Sequence, residues 1–415
     1  MKVLRIEHNS FSKTLNNGKT AEDLFSLIPK EDRFQIYFTP IGDLDDLDYA
    51  SSSFLISDSD VINAVFKRSN SCGGVNRNHE QKSSLVTSSN RKEWYKKRLF
   101  RDFLWKSRVW KTKELLSWCK EINPDIIVLG GSSQTFPFKI AEYLSKKLNI
   151  PTALYCGDDY IAYVQYSSLW DKIQKIRLRR IYKHFCKHSS VCMAISQLMS
   201  DKFSELLGKK FVTIPRPIDI PQIVEKPLGG LPIVSYFGGL HLNRWKMIAR
   251  LAKMAKNAEF RVYSMAEMTK EIEETFLSCN IRFMGGVSGE RLAAAIHESD
   301  ILLHVESDDK YTSSFTRLAM STKIPEYLSA KRIVLGYGPS DLASMRILSD
   351  NDIGVVLDSQ LPEYEIRKKI ERIINDQSYR IAYAEKGYQF AKDKYPKELV
   401  AKQFKELLQS AVEND

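Results

Sequence analysis

No run of apolar residues in this 415-residue chain approaches the length needed to cross a bilayer, which excludes a transmembrane-helix reading. The opening Met1-Lys-Val-Leu-Arg-Ile-Glu-His8 has neither a long apolar core nor a small-residue cleavage site, so no secretory signal is expected. Cysteine is scarce. Cys72, Cys119, Cys156, Cys186, Cys192 and Cys279 are scattered, mostly through apolar patterns, which fits buried free thiols and not a disulfide framework. The chain also lacks G-x-x-x-x-G-K-S/T, a G-x-G-x-x-G after its first strand, and H-E-x-x-H, so the phosphate-loop, dinucleotide-fingerprint and zincin readings drop out. His184, Cys186, His188 and Cys192 match the spacing of no standard zinc module.

What is present is globular. Hydrophobic residues make up 43% and aromatics 11%, and the length predicts two domains instead of one core. A cytoplasmic, enzyme-like protein is expected. The net charge of +11 favours an anionic partner: nucleic acid, a lipid surface or a phosphorylated substrate.

Strand and helix patterns alternate along the chain. Lys2–His8 and Phe34–Phe38 read as strands, with a polar loop from Asn9 to Gly18 after the first. Residues 67–90 are rich in Ser, Asn and Gly and read as a mobile loop. Residues 91–120 read as one basic aromatic helix holding Trp94, Trp105, Trp110 and Trp118. Over 91–121, eleven Lys/Arg stand against four Asp/Glu. Lys and Arg stems beside Trp rings suit an anionic membrane face, and the basic pattern Leu169–His188 would extend the patch. The plainer reading is a helix packed by its aromatics with a solvated charged side.

From Asp125 to Ile214 the alternation predicts a parallel sheet with helices on both faces. The stretch from Pro215 to Pro232 contains Pro217, Pro221, Pro227 and a Gly229-Gly230 pair, the composition of a linker. The alternation then restarts at Ile233 and runs through Ile301–Val305 to a unit spanning Ser321–Pro339. The expected architecture is α/β: two doubly wound halves, 1–218 and 219–395, facing each other across a cleft. A terminal amphipathic helix over 396–415 is free to pack on either half.

Three places carry chemistry. In Phe237-Gly-Gly-Leu-His-Leu-Asn-Arg244-Trp-Lys246 a strand ends in two glycines and a helix begins near Asn243. Gly239 permits close approach of a ligand, and Arg244 and Lys246 in the first turn suit an anion. In the second, Thr322, Lys323 and Glu326 open a short helix. A cation there would meet phosphate, and a carboxylate one turn on would accept from sugar hydroxyls. Solvated helix starts are the bland alternative for both. The third place is Asp158-Asp159 beside Gly157 at the end of a strand. Either acid would orient or deprotonate a hydroxyl, or merely cap a turn.

Taken in order, Gly238-Gly239…Arg244, Phe283-Met-Gly-Gly286, and Lys323 through Pro339 resemble the retaining GT-B glycosyltransferases (group 1, family 4-like) over nearly the whole length. Ala194-Ile-Ser196 and Ile214-Pro-Arg-Pro-Ile-Asp219 are similar to that family's entry to its hinge. The narrower likeness is to bacterial enzymes that build capsule or lipopolysaccharide sugars. The resemblance implies two Rossmann-like domains and a nucleoside diphosphate sugar as donor. It also implies a lipid-linked or polysaccharide acceptor, transfer with retention at the anomeric carbon, and no essential metal. Arg244 and Lys323 would neutralise the leaving diphosphate, with Glu326 on the ribose, Gly18 and Gly239 against the phosphates, and Asp158 or Asp159 near the acceptor.

The chain departs from the family twice. Of the family's two glutamates separated by seven residues, Glu326 matches the second and Leu318 stands at the first, so that carboxylate is missing or supplied by Glu306, Asp308 or Asp309. The usual arginine after the first glycine is Gly239, which moves the clamp toward Arg244 and Lys246. Rival readings are a sugar-nucleotide epimerase, a non-catalytic nucleotide-sugar binder, and a nucleic-acid binder. No nucleic-acid module is recognisable, so no nucleic-acid partner is expected.

Overall fold

Five-residue runs such as Ile126-Ile-Val-Leu-Gly130 and Ile301-Leu-Leu-His-Val305 show no alternation of apolar and polar residues, the signature of strands covered on both faces. Both are fully buried strands in the computed structural model of the chain. The structure describes residues 1–12, 16–39, 49–69, 71–76, 91–163, 166, 168–223 and 229–414, with backbone alone at 16, 17, 91–96 and 315. The chain divides into two units: Met1–Pro217 with Lys397–Asp415, and Ile218–Pro396.

The first unit carries β1 (Val3–Glu7), β2 (Arg33–Tyr37), β3 (Ser52–Leu55), β4 (Gly74–Val75), β5 (Ile126–Gly130), β6 (Thr152–Cys156), β7 (Val191–Ala194) and β8 (Phe211–Thr213). They form one sheet in the order β4-β3-β2-β1-β5-β6-β7-β8. Only β4 runs antiparallel. Most of the segment read as a mobile loop lies outside the described residues, but its described part supplies β4. The second unit carries β9 (Ile233–Phe237), β10 (Glu259–Tyr263), β11 (Ile281–Gly285), β12 (Ile301–Val305), β13 (Ile333–Gly338) and β14 (Val355–Asp358), all parallel in the order β11-β10-β9-β12-β13-β14.

Turn chemistry ends the helices where the strands must begin. Asn123, Asn149 and Gly208 take left-handed conformations after the helices Lys113–Ile122, Phe136–Leu148 and Gln197–Leu207. Asn and Gly tolerate that region, and each releases the chain toward the next strand. Ser57 and Asp60 form a reciprocal capping box at the start of Asp58–Val65. The terminal helix Lys397–Glu413 belongs to the first unit, where Val400, Phe404 and Leu408 are fully buried with Val3, Phe11 and Met193. In the second unit, Ile218 N–H donates to Tyr395 C=O at 2.9 Å, so the entering and leaving segments meet side by side.

The basic aromatic segment is two helices, Arg91–Trp105 and Lys113–Ile122, broken where Arg108 turns to a φ of 62°. Trp105, Trp110 and Trp118 are buried, and each indole N–H finds an acceptor: Asp58, the Trp105 carbonyl and Ser52. These tryptophans are core, with Trp105 stacked on Phe136 at 3.9 Å. The expectation that they face lipid is corrected by this burial. The side chain of Trp94 lies outside the described residues.

In each sheet the connections wind outward from one point. The first reverses between β1 and β5, the second between β9 and β12. In open sheets of this kind, ligands bind beyond the carboxyl ends of the strands at such a switch point.

Candidate functional site

The switch point of the second unit is built on glycine and positive charge. β9 ends at Phe237, and Gly238 follows with a φ of +150°. The Lys323 ammonium lies 3.0 Å from where a Cβ on Gly238 would sit, so the missing side chain makes room for that cation. Leu242 and Asn243 then both adopt left-handed φ, 61° and 59°. A leucine in that conformation costs of order 1 kcal/mol, and such strain is retained where it serves a local geometry. Here it starts the helix Arg244–Met254 with its first side chain turned onto β12.

That side chain meets Glu306, the residue after β12. Arg244 Nη2 stands 3.1 Å from both carboxylate oxygens. Glu306 is 4% exposed, and burial pushes its carboxyl up, against the pull of Arg244 and Lys323. His304 Nε2 is 3.4 Å from Glu306 Oε1. Burial, with Arg244 and Lys323 adding to it, drops His304 to about 3, so its ring is neutral at ordinary pH. The Tyr236 hydroxyl donates to the Gly239 carbonyl at 2.8 Å and fixes the turn. The short helix Lys323–Ser329 is pinned to the end of β9 through Tyr327, whose hydroxyl bonds both the N–H and the C=O of Phe237.

The expected residues therefore divide. Gly239, Arg244 and Lys323 come together, with Thr322 and Glu326 on either side of Lys323 along the same segment. Lys246 does not join them: it is exposed, 3.9 Å from Glu271, with its ammonium over the Trp245 ring. Leu318 is packed in the interior. Of the three candidates for the missing carboxylate, Asp308 pairs with Arg250 at 2.9 Å, and Asp309 caps the helix Lys310–Thr316 by accepting from Thr312. Glu306 alone of the three reaches the Arg244–Lys323 group. His304 escaped the sequence reading because it sits in an apolar strand and looks like core.

The switch point of the first unit is acidic. Glu7 ends β1 and lies over Gly130 of β5, where a Cβ would fall 2.6 Å from its side chain. Arg5 donates to it. Burial pushes the Glu7 carboxyl up despite Arg5, and Asp158 adds to the rise. Asp158 follows β6, accepts from the Tyr160 hydroxyl at 3.0 Å, and is also pushed up by burial. Next to Glu7, His8 Nε2 is 2.9 Å from Ser132 Oγ, and burial with Arg101 and Arg98 holds its ring neutral. Asp159 serves a different purpose. It is 1% exposed, and its Oδ1 accepts from the N–H groups of Ile161 and Ala162 at 2.9 and 2.7 Å, so it holds its own loop. Gly18 packs against Ser10–Ser12, and residues 13–15 of its loop lie outside the described residues. Glu7 was missed because a lone acid at a strand end looks like a solvated edge. Its position at the reversal of strand order is the signal that finds it.

No family model matches the chain, and no curated protein matches it in sequence. Solved structures do. HepE of Anabaena, solved with UDP, superposes with a TM-score of 0.66 at 13% identity, over 99% of this chain and 100% of its own. TarM of S. aureus, in a complex that includes UDP, gives 0.60 at 11% identity, over 98% and 99%. The calicheamicin glycosyltransferase CalG4 gives 0.53 at 11% identity, over 98% of each. The chain has the GT-B fold. The two switch points just described are thus the C-terminal strand edges of the two Rossmann-like domains of a GT-B protein.

Proposed function

We propose that this GT-B chain is a glycosyltransferase of hexosyl type whose donor is a nucleoside diphosphate sugar. One observation carries the reading: Arg244 and Lys323, on separate elements, converge on Glu306 at the second sheet's switch point, where Gly238 makes room for the Lys323 ammonium. Two cations beyond the carboxyl ends of the strands suit a diphosphate, and they act most strongly on charge that develops as it departs. That HepE and TarM were solved with UDP supports a uridine nucleotide as the first donor to try.

In this reading the bond from the anomeric carbon to the diphosphate oxygen breaks, and Arg244 and Lys323 take up the growing negative charge. An acceptor hydroxyl attacks the same carbon from the face that the diphosphate leaves, as retention requires, and its proton passes to a carboxylate. Burial raises the proton affinity of both acids, and Asp158 suits that task better than Asp159 because Asp159 spends an oxygen on the backbone N–H groups of its own loop. Glu326 is assigned to the ribose. Retention of configuration, a lipid-linked or polysaccharide acceptor and a place in cell-surface polysaccharide synthesis come from the family resemblance, and a cytoplasmic setting from the scattered cysteines.

Thermal unfolding of the full chain with a panel of nucleoside diphosphates and their sugars tests the reading. One nucleotide is expected to raise the midpoint, since at a hundredfold excess over Kd binding stabilises by about 2.7 kcal/mol. Lys323→Ala and Glu326→Ala are expected to remove the rise. No shift with any nucleotide would overturn the proposal. Turnover that needs an added sugar acceptor separates a transferase from an epimerase of the same fold.

A further inference from the structure

The strand β12 ends in a buried pair to which the reaction above gives no task. His304 and Glu306 are two positions apart, and the Glu306 N–H still bonds the Tyr337 carbonyl of β13, so the pleat puts both side chains on one face of the sheet. His304 Nε2 lies 3.4 Å from Glu306 Oε1 but makes no hydrogen bond among the described residues. A buried polar atom without a partner costs stability, so its place calls for a reason. Two cations face the pair: Arg244 from the helix after β9, and Lys323 from the short helix before β13. Tyr236 and Thr316 also act on the Glu306 carboxyl. Neither is charged at neutral pH, the Tyr236 hydroxyl being pushed up to about 12.

A proton on Nε2 would supply the donor for a bond to Glu306, yet the free chain keeps it off. Burial opposes a charged ring, and Arg244 and Lys323 add to that. A nucleoside diphosphate sugar reverses the balance. It brings two negative charges to cations that Glu306 already shares. Three negative charges then face two positive ones, and the charge that the free chain rejects is the charge that the complex lacks. Arg244 also has a conflict to resolve, because its Nη2 is spent on both oxygens of Glu306. An imidazolium beside Glu306 takes over that carboxylate and frees the guanidinium for the diphosphate.

We propose that His304 takes up one proton from solvent as the nucleoside diphosphate sugar binds, holds it on Nε2 against Glu306, and so hands Arg244 to the diphosphate. The inference rests on the donor reading above. It makes His304 a positioning residue, since it acts through Glu306 and Arg244. The test is calorimetric titration of the full chain with UDP-glucose, GDP-mannose, ADP-glucose and dTDP-glucose, diphosphate esters that do not themselves titrate near neutral pH. Repeating each titration in buffers of different ionisation enthalpy counts the protons. With the sugar nucleotide that binds, close to one proton per ligand is expected at pH 7. Kd is expected to rise toward tenfold per pH unit between pH 6 and pH 8. His304→Gln carries a permanent N–H donor that does not titrate, so it is expected to take up no proton and to bind with a flat Kd. His304→Asn falls short of Glu306; it is expected to take up no proton and to bind roughly tenfold more weakly than the parent at pH 6. His241 lies against Gly239 and also faces Arg244 and Lys323, so His241→Asn is the control, and its proton count is expected to match the parent's. Thermal midpoints show which variants are folded, and the parent's count with the control decides if the His304 variants are not. Heat with none of the four probes removes the donor reading and this inference together. Binding without proton uptake, uptake that survives in both His304 variants, or uptake lost in His241→Asn overturns this inference and leaves the donor reading standing.

Discussion

The two sheets reverse their strand order in the same way, yet the ends they present at that reversal are opposite in charge. In the second unit, Gly238 opens space for Lys323, and a strained turn sets Arg244 against Glu306. In the first, Gly130 opens space for Glu7, and Asp158 stands nearby with Tyr160. A glycine makes room in both. What fills the room differs: the Lys323 ammonium, with Arg244 nearby, in one, and the Glu7 carboxylate, with Asp158 nearby, in the other; in the proposed reaction the cations would meet the departing diphosphate and a carboxylate would take the proton. The shared topology fixes where a site can be, and a handful of side chains decides which half-reaction it serves.

The sharpest way to break that contrast is to remove a cation. Arg244→Ala is expected to lower turnover with the stabilising donor by about a hundredfold to a thousandfold, the scale of losing one donor to a developing charge. It also leaves Glu306 buried without its partner, a cost of about 3–5 kcal/mol in such pairs. A double variant, Arg244→Met with Glu306→Leu, separates the two effects in a denaturant titration. Stability is expected to return in the double variant while turnover does not. If turnover returned as well, Arg244 would be a structural residue. For the acid side, Asp158→Asn is expected to lower turnover roughly a hundredfold, with the nucleotide-induced rise in midpoint kept. Loss of that rise would put Asp158 on the donor instead.

How much of this was legible in the sequence follows from the kind of signal each feature leaves. Strands such as Ile126–Gly130 and Ile301–Val305 are unbroken apolar runs, so the doubly wound pattern stood out. β3 did not, because Ser52-Ser53-Phe54-Leu55 sits in a serine-rich stretch and owes its burial to β2 beside it. Arg244 and Lys323 were visible because they follow turn signals. Lys246 shares the first turn of its helix with Arg244, but 200° of rotation separates neighbours two apart, and its side chain leaves the site. The tryptophans misled because indole suits an interface and a core equally, and the acceptors that settle the matter come from residues as distant as Ser52 and Asp58.

His304 offers a third comparison, of the second site with itself at two pH values. Its affinity for protons falls from an ordinary 6.5 to about 3 in the folded chain, chiefly through burial. Between those values the unfolded chain binds the proton and the folded chain does not. Stability therefore falls as pH drops through 6.5 and keeps falling until about 3. At pH 5 the loss from this group is about 2 kcal/mol. His304→Asn is expected to flatten that part of the pH–stability curve, measured by urea titration from pH 7 to pH 5. An unchanged slope would mean that other groups carry the acid sensitivity.

The smallest expected effect discriminates best between neighbours. Asp158 and Asp159 are adjacent and chemically the same, yet only Asp159 spends an oxygen on two backbone N–H groups. Asp159→Asn keeps one acceptor oxygen but loses the charge that strengthens both bonds, so a cost of about 1 kcal/mol is expected. Turnover of the folded variant is expected to stay within a few-fold of the parent. The converse pattern, full stability and lost turnover, would exchange the roles of the two acids. It would also imply that Ile161 and Ala162 keep their geometry without help, which the buried loop makes costly, since two amide groups would then lack a charged partner in a site closed to water.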